Sequence, residues 1–377
     1  MKKKLLSVLI CATMVSSMLV GCGGNTATTE PATDSTTTTT ETTDSTADSA
    51  ATTDTTTDAA STDAIGSYAI IVKSAGNPYN AKEASGFKQV IEEQGGTCIV
   101  KEPESATAEA QIAMINELVA QQVDAIAIAA NDADALQPAL TAAKSAGIAI
   151  SSLDSPTNAA SRSVHVNQAG TQIIGQTLVD AVADITGGSG QFAILSATSQ
   201  ASNQNAWIEA MKTVMTDSKY ADLELVDVVY GDDEYQKSVD QTQALLSNYP
   251  DLKCICAPTT VGIMAAAKVL QDQGVADKIK LTGLGLPSEM ADYIGDDDAH
   301  ACPYMYLWNP IDIGRLSAYT SIALAKGEIT GAAGEKYTAG DMGEYEIVTS
   351  ADTGTEVILG PPFKFDPSNI AEWKTVY

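Results

Sequence analysis

Histidine is nearly absent from this chain. His165 and His300 are the only two among 377 residues, which excludes metal sites assembled from several imidazoles. Basic side chains are scarce too, with Lys+Arg 21 against Asp+Glu 48 and a formal net charge of -27. A surface this acidic repels phosphate backbones and anionic headgroups, so nucleic acid is not an expected partner. No Gly-x-Ser-x-Gly elbow and no His-Glu-x-x-His pair occurs, and with them go two motif-borne hydrolase chemistries. What is present is enough apolar side chain (44%) to bury a core, in a length that suggests about two domains at roughly 150 residues each.

The beginning of the chain is organised differently from the rest. Lys2, Lys3 and Lys4 precede an apolar stretch from Leu5 to Val20 that Ser7, Thr13, Ser16 and Ser17 interrupt. That stretch is too short and too broken for the roughly 20 apolar residues of a membrane span, and it has the length of a secretory signal. It ends in Leu19-Val20-Gly21-Cys22, which resembles the lipobox of bacterial lipoproteins. The resemblance implies a signal peptide over residues 1–22, lipidation at Cys22 and a lipid anchor to the membrane. A plain secretory signal with an incidental cysteine is the alternative. Residues 23–65 are expected to form a disordered tether, because no aromatic and no branched aliphatic side chain occurs between Gly23 and Asp63.

Eight acids lie in that tether, and three of the bases are the signal lysines. The remainder keeps 40 acids and 18 bases, a net -22, so the acidity belongs mainly to the globular body. Of the cysteines there, Cys98, Cys254 and Cys256 sit in apolar strand patterns and Cys302 opens another. Buried free thiols are expected; one disulfide stays open, and no zinc spacing is present.

From Ser67 onward strand and helix patterns alternate. Short apolar runs at 68–72, 97–100, 124–129, 147–153, 191–195, 223–230, 253–257 and 278–284 read as strands. Between them, 81–94, 106–122, 133–146, 203–215, 234–248 and 261–273 read as helices. Strands that are apolar throughout belong to parallel sheets with helices on both faces. The fold class is therefore α/β, with two doubly wound parallel-sheet lobes beginning at about 66–168 and 169–298.

In such folds ligands bind beyond the carboxyl ends of the strands. Lys73 and Asn77 follow the first strand, Asp154 follows the fourth, and Asn167 and Gln168 follow Val164 to Val166. Asn203 and Gln204 precede Trp207; Pro258 and Thr260 follow the run ending at Ala257. A carboxylate among amides and a lysine suits a small polyol, and Trp308 or Tyr79 could lie against the apolar face of a sugar ring. The same groups could instead cap helices and satisfy loop backbone.

The segments Lys73-Ser-Ala-Gly-Asn-Pro-Tyr79, Asn203-Gln-Asn-Ala-Trp207, Gly283-Leu-Gly-Leu-Pro-Ser-Glu-Met290 and Leu307-Trp-Asn-Pro310 resemble sugar-type periplasmic binding proteins. The similar branch is the one shared by rhamnose-binding proteins and autoinducer-2 receptors of ABC transporters, and the likeness runs in order from about Ser67 to the end. It implies a Venus-flytrap fold with a three-stranded hinge, about 299–330 returning to the first lobe and about 331–377 to the second. It also implies a permease partner, a monomer, no cofactor and no metal, and a place on the extracellular face of the membrane or in the periplasm. The autoinducer-2 receptors carry Lys, Asp, Asp, Gln, Pro and Ala. This chain matches at Lys73, Asp154, Gln204 and Pro258 and departs at Asn203 and Thr260, which look more like the rhamnose-type branch.

Three other functions compete. A glycoside hydrolase would need paired carboxylates, but Asp232-Asp233 and Asp296-Asp297-Asp298 read as solvated loops, and His165 in its short strand reads as structural. A sugar-responsive repressor would need a basic helix-turn-helix where this chain carries its export signal. A receptor for sugar or autoinducer-2 that does not feed a transporter stays open.

Overall fold

The computed structural model describes residues 65–377. The expected signal, Cys22 and the tether as far as residue 64 lie outside the described residues. Strands β1 (Ser67–Ile71), β2 (Thr97–Lys101), β3 (Ala125–Ile128), β4 (Ala149–Leu153) and β5 (Val164–Asn167) are separated by helices α1 (Pro78–Glu93), α2 (Ala108–Gln121) and α3 (Gln137–Ser145). Tyr68 to Ile71 and Ala125 to Ile128 are buried without a break, so both faces of this sheet need helical cover. Local chemistry sets the limits of α1. Asn77 Oδ1 accepts from the Tyr79 amide at 3.0 Å, Pro78 opens the first turn, and Gly95 at φ 78 leads the chain away.

The chain continues with α4 (Thr171–Thr186), β6 (Gly190–Ser196), α5 (Ser202–Val214), β7 (Leu223–Tyr230), α6 (Tyr235–Asn248), β8 (Leu252–Ala257), α7 (Thr260–Asp272), β9 (Lys280–Gly283) and α8 (Pro287–Met290). Next come β10 (Met305–Leu307), α9 (Pro310–Ala325), β11 (Lys336–Thr338), β12 (Glu344–Glu346), β13 (Val348–Thr349), β14 (Thr355–Ile358), β15 (Phe363–Phe365) and α10 (Ile370–Trp373). One sheet has seven strands in the order β13-β14-β5-β4-β3-β1-β2, parallel except at β13. The other has four parallel strands in the order β7-β6-β8-β9. Both orders reverse direction beside the first strand of their block, which is the doubly wound arrangement expected.

The chain passes between the sheets at Gln168–Gly170, Trp308–Asn309 and Leu359–Pro361. Two of these crossings are tied together: Leu359 N donates to Asn167 O at 2.9 Å and Gly360 N to Gln168 O at 3.2 Å. The later boundaries differ from those expected. Residues before Trp308 stay with the four-stranded sheet, because Leu284 bridges Tyr306 and β10 pairs with β15. Residues 348–358 join the seven-stranded sheet, because β14 pairs with β5 through Glu356 opposite His165.

Two long helices are absent from the predicted rhythm. α4 starts at Gly170 with no side-chain cap, so its start signal is missing. α9 is buried on most of its surface and presents no single apolar stripe. It packs closely on α1: a Cβ on Gly314 would stand 2.0 Å from the Glu83 carbonyl oxygen, and one on Gly86 2.0 Å from that of Ile311. Cys98, Cys254, Cys256 and Cys302 are free thiols, the last three buried as expected and Cys98 partly so. Burial pushes the Cys98 thiol up to about 11 and that of Cys256 up to about 12.

Candidate ligand-binding site

Residues just beyond the carboxyl ends of β1, β4, β6, β8 and β9 meet around a cavity of about 380 Å³, counted with its open mouth. Lys73 arrives from β1, and its carbonyl oxygen is held by Asn131 Nδ2 at 2.8 Å. Asp154 leaves β4 at φ 54, in the left-handed region that Asp tolerates better than branched residues do. Asn203, in the first turn of α5, comes from the other sheet and touches both. Its Nδ2 donates to Asp154 Oδ1 and Oδ2, each at 3.2 Å, while its Oδ1 accepts from Lys73 Nζ at 3.0 Å. Lys73 Nζ lies 3.6 Å from Asp154 Oδ2, and all three side chains are buried.

Burial pushes the Asp154 carboxyl above its ordinary range, and the Lys73 ammonium draws it back. A second acid stands close by. Glu83 of α1 is fully buried with no hydrogen-bond partner on either carboxyl oxygen, and its carboxyl is held well above the ordinary range by burial first and then by Asp154. The two differ in their neighbours: Asp154 faces Lys73 at 3.6 Å, whereas burial and the Asp154 carboxylate together push Glu83 up.

Aromatic rings close the near side. Trp308 Nε1 donates to Tyr79 OH at 2.6 Å, and Tyr79 OH in turn reaches Asp154 Oδ1 at 3.5 Å. The Trp207 and Trp308 rings meet edge-on, with centroids 5.7 Å apart. Two amides each have one end committed. Gln204 Oε1 accepts from Ser196 Oγ at 2.7 Å and from the Ala197 amide at 2.8 Å, and Asn77 Oδ1 caps α1. Their NH₂ groups have no partner among the described residues and line the cavity with Pro258 and Thr260. Such a site offers amide and ammonium donors, carboxylate acceptors in Asp154 and Asp233, and flat apolar rings, which suits a polyol.

Eight of the ten residues singled out in the sequence come together here: Lys73, Asn77, Asp154, Asn203, Gln204, Pro258, Thr260 and Trp308. Asn167 and Gln168 do not. They end β5 at a crossing between the sheets, where Asn167 Nδ2 donates to Glu356 Oε2 at 2.7 Å and the Gln168 side chain is fully buried. Asn80, Trp207, Asp233, Thr259, Leu284 and Leu307 also line the cavity. Helical spacing could have found Asn80, three residues after Asn77, and Trp207, four after Asn203. Of the acidic pair Asp232-Asp233, Asp233 reaches the cavity and accepts from Thr259 Oγ1 at 2.7 Å, while Asp232 pairs with Lys237. Among the described residues no group of three or more His, Cys, Asp or Glu side chains is placed to hold a metal ion.

Known proteins resemble this chain in sequence and fold. An ABC transporter solute-binding protein from Clostridium phytofermentas, solved with bound L-rhamnose, is 66% identical, covering 83% of this chain and 99% of that one with a TM-score of 0.82. LsrB from Clostridium saccharobutylicum in complex with AI-2 shares the fold at 22% identity and a TM-score of 0.75, over 81% of this chain and 99% of its own. The D-ribose/D-allose-binding protein of Pseudomonas aeruginosa is 24% identical over 229 residues, 57% of this chain and 69% of that protein. These neighbours are named as binding proteins, not as enzymes. Residues 68–329 match the periplasmic binding protein domain, and the chain belongs to that family.

Proposed function

We propose that this protein is the substrate-binding lipoprotein of an ABC transporter, capturing a rhamnose-like monosaccharide between its two lobes and delivering it to a membrane permease. The observation that carries the reading is the buried Lys73–Asp154 pair, bridged by Asn203 from the opposite lobe and walled by Trp308 and Trp207. The 66% identical relative solved with L-rhamnose supports that sugar in particular. Lipidation at Cys22 anchors the protein outside the membrane in this reading, and the tether carries the binding domain to the permease.

Asn203 bonds to Lys73 and Asp154 from the opposite lobe. Entry of the ligand separates Asn203 from Asp154 and replaces their contact with hydroxyls bonded to both sides. The closed form is favoured by the difference in ligand affinity between closed and open states. No chemical step is needed, and the protein is read as a binding protein rather than an enzyme. His165 lies outside the lining of the sugar cavity, turned to Ser152 Oγ at 2.9 Å and held neutral by burial.

Autoinducer-2 is the second reading, favoured by Lys73, Asp154, Gln204 and Pro258 and opposed by Asn203 and Thr260. A receptor that senses the same sugar without transport is the third. A thermal-shift panel of L-rhamnose, ribose, xylose, galactose and autoinducer-2 tests the ligand. Stabilisation by L-rhamnose alone is expected; a response to autoinducer-2 alone would transfer the protein to the second reading. Uptake of labelled sugar by cells with and without this protein separates transport from sensing.

A further inference from the structure

Beside the sugar cavity lies a second one of about 920 Å³, counted with its open mouth. The two share three lining residues, Asp154, Asn203 and Trp207. The partition between them is therefore the inter-lobe contact itself, the pair of 3.2 Å bonds from Asn203 Nδ2 to the Asp154 carboxylate. Those bonds are longer than the roughly 2.7–2.9 Å of a well-made charge-assisted pair. A ligand that parts them opens one cavity into the other.

We propose that the sugar site continues across this partition, so that the protein accepts a disaccharide or glycoside whose second, uncharged ring lies in the adjoining cavity. This rests on the reading of the first cavity as a sugar site. The far wall is apolar: Pro156 from one lobe faces Ala206 and Ile173 from the other. Ile173 is 52% exposed, more than any other large apolar side chain among the described residues. Together with the Trp207 indole it forms the flat apolar ground that a pyranose face covers.

The charged groups on the opposite side already have hydrogen-bond partners, and the acids Asp154, Asp352 and Glu356 outnumber Arg162 there. Arg162 Nη2 is bound to Asp352 Oδ2 at 2.7 Å, and the Glu356 carboxylate accepts from Asn167 Nδ2 at 2.7 Å. A second ring bearing net charge would upset these pairs, whereas hydroxyls add to them. Arg162 is 4% exposed, lines the cavity and keeps Nε without an acceptor.

Calorimetry on the full chain with L-rhamnose and with rutinose, in which L-rhamnose carries a D-glucose ring, tests the proposal. Two variants accompany it, Ala206→Leu to fill the second cavity and Ile173→Asp to remove its apolar ground. Both positions are solvent-exposed on helices, α5 and α4, so folding is preserved. The expected result is rutinose binding within about tenfold of L-rhamnose, weakened by at least about tenfold in each variant, with L-rhamnose binding changed by less than about twofold. Binding of L-rhamnose without rutinose, or rutinose binding that neither variant changes, overturns the second subsite and leaves the sugar site standing. Failure of both sugars to bind removes the sugar reading and this proposal with it.

Discussion

Removing the Asp154 carboxylate is the most direct perturbation of the proposed site. Its contacts within the protein are all long: 3.6 Å to Lys73 Nζ, 3.2 Å twice to Asn203 Nδ2 and 3.5 Å to Tyr79 OH. Hydroxyls donating to a carboxylate approach to roughly 2.5–2.7 Å, so a ligand makes better bonds than those it replaces. At about 1.5–3 kcal/mol for each hydrogen bond to a charged group, two such bonds contribute roughly 3–6 kcal/mol. Loss of the stretched Asn203 contacts offsets part of this, leaving more than about 2 kcal/mol, or about thirtyfold in Kd. Asp154→Ala also strands Lys73, only 5% exposed, without its counter-ion, so the variant is less stable when unliganded. Calorimetry with L-rhamnose on Asp154→Ala, at a temperature where circular dichroism shows it folded, gives the answer. A Kd within about threefold of the unaltered protein would refute the assignment of Asp154 as the ligand's principal acceptor.

Three further outcomes follow from buried groups. The Glu83 carboxyl is raised in the folded chain, so its stability contribution is full below the unfolded value of about 4.3 and is lost as pH rises toward the folded one. Glu83→Gln, which is neutral throughout, gains stability over the unaltered protein from pH 5 to pH 8 in urea unfolding; a difference that does not change with pH would sink the protonated-Glu83 argument. His165 shows the opposite sign: burial lowers it to about 3, so its contribution is present above the unfolded value of about 6.5 and fades as pH falls toward the folded one. His165→Gln flattens the acid-side decline between pH 6.5 and 4, by up to about 1.4 kcal/mol per pH unit, and an unaltered slope counts against a neutral buried imidazole. Gly314→Ala forces α9 away from the Glu83 carbonyl, 2.0 Å from the new Cβ, and the overpacking costs about 1–3 kcal/mol. A thermal midpoint equal to that of the unaltered chain would show that the α1–α9 approach is looser than these positions imply.

The two sheets are legible because parallel strands buried on both faces, such as Ala125–Ile128, read as continuous apolar runs whatever their partners. The rule that ligands lie beyond strand ends then leads to Lys73, Asp154 and Gln204. It also leads to Asn167 and Gln168, and nothing local separates these two cases. What separates them is β14, which arrives from Thr355–Ile358 to pair with β5 and converts that strand end into part of the hinge. Glu83 is a different kind of omission. Buried positions on α1 include Tyr79, Asn80, Glu83, Ala84, Phe87, Val90 and Ile91, so an acid falls on the face that packs inward. A carboxyl there conflicts with the helix's own apolar pattern, and such conflicts mark functional or strained sites. The contact that defines the site lies further still from any local pattern: Lys73 and Asn203 are 130 positions apart, and Asp154 and Asn203 are 49. These three meet only because two separately folded sheets close on one another. A residue in this site therefore acts on binding in two ways, through the ligand it touches and through the closed state it holds. Under the proposed function Asn203 does both, so its substitution is expected to change the balance of open and closed forms as well as the contact with the sugar.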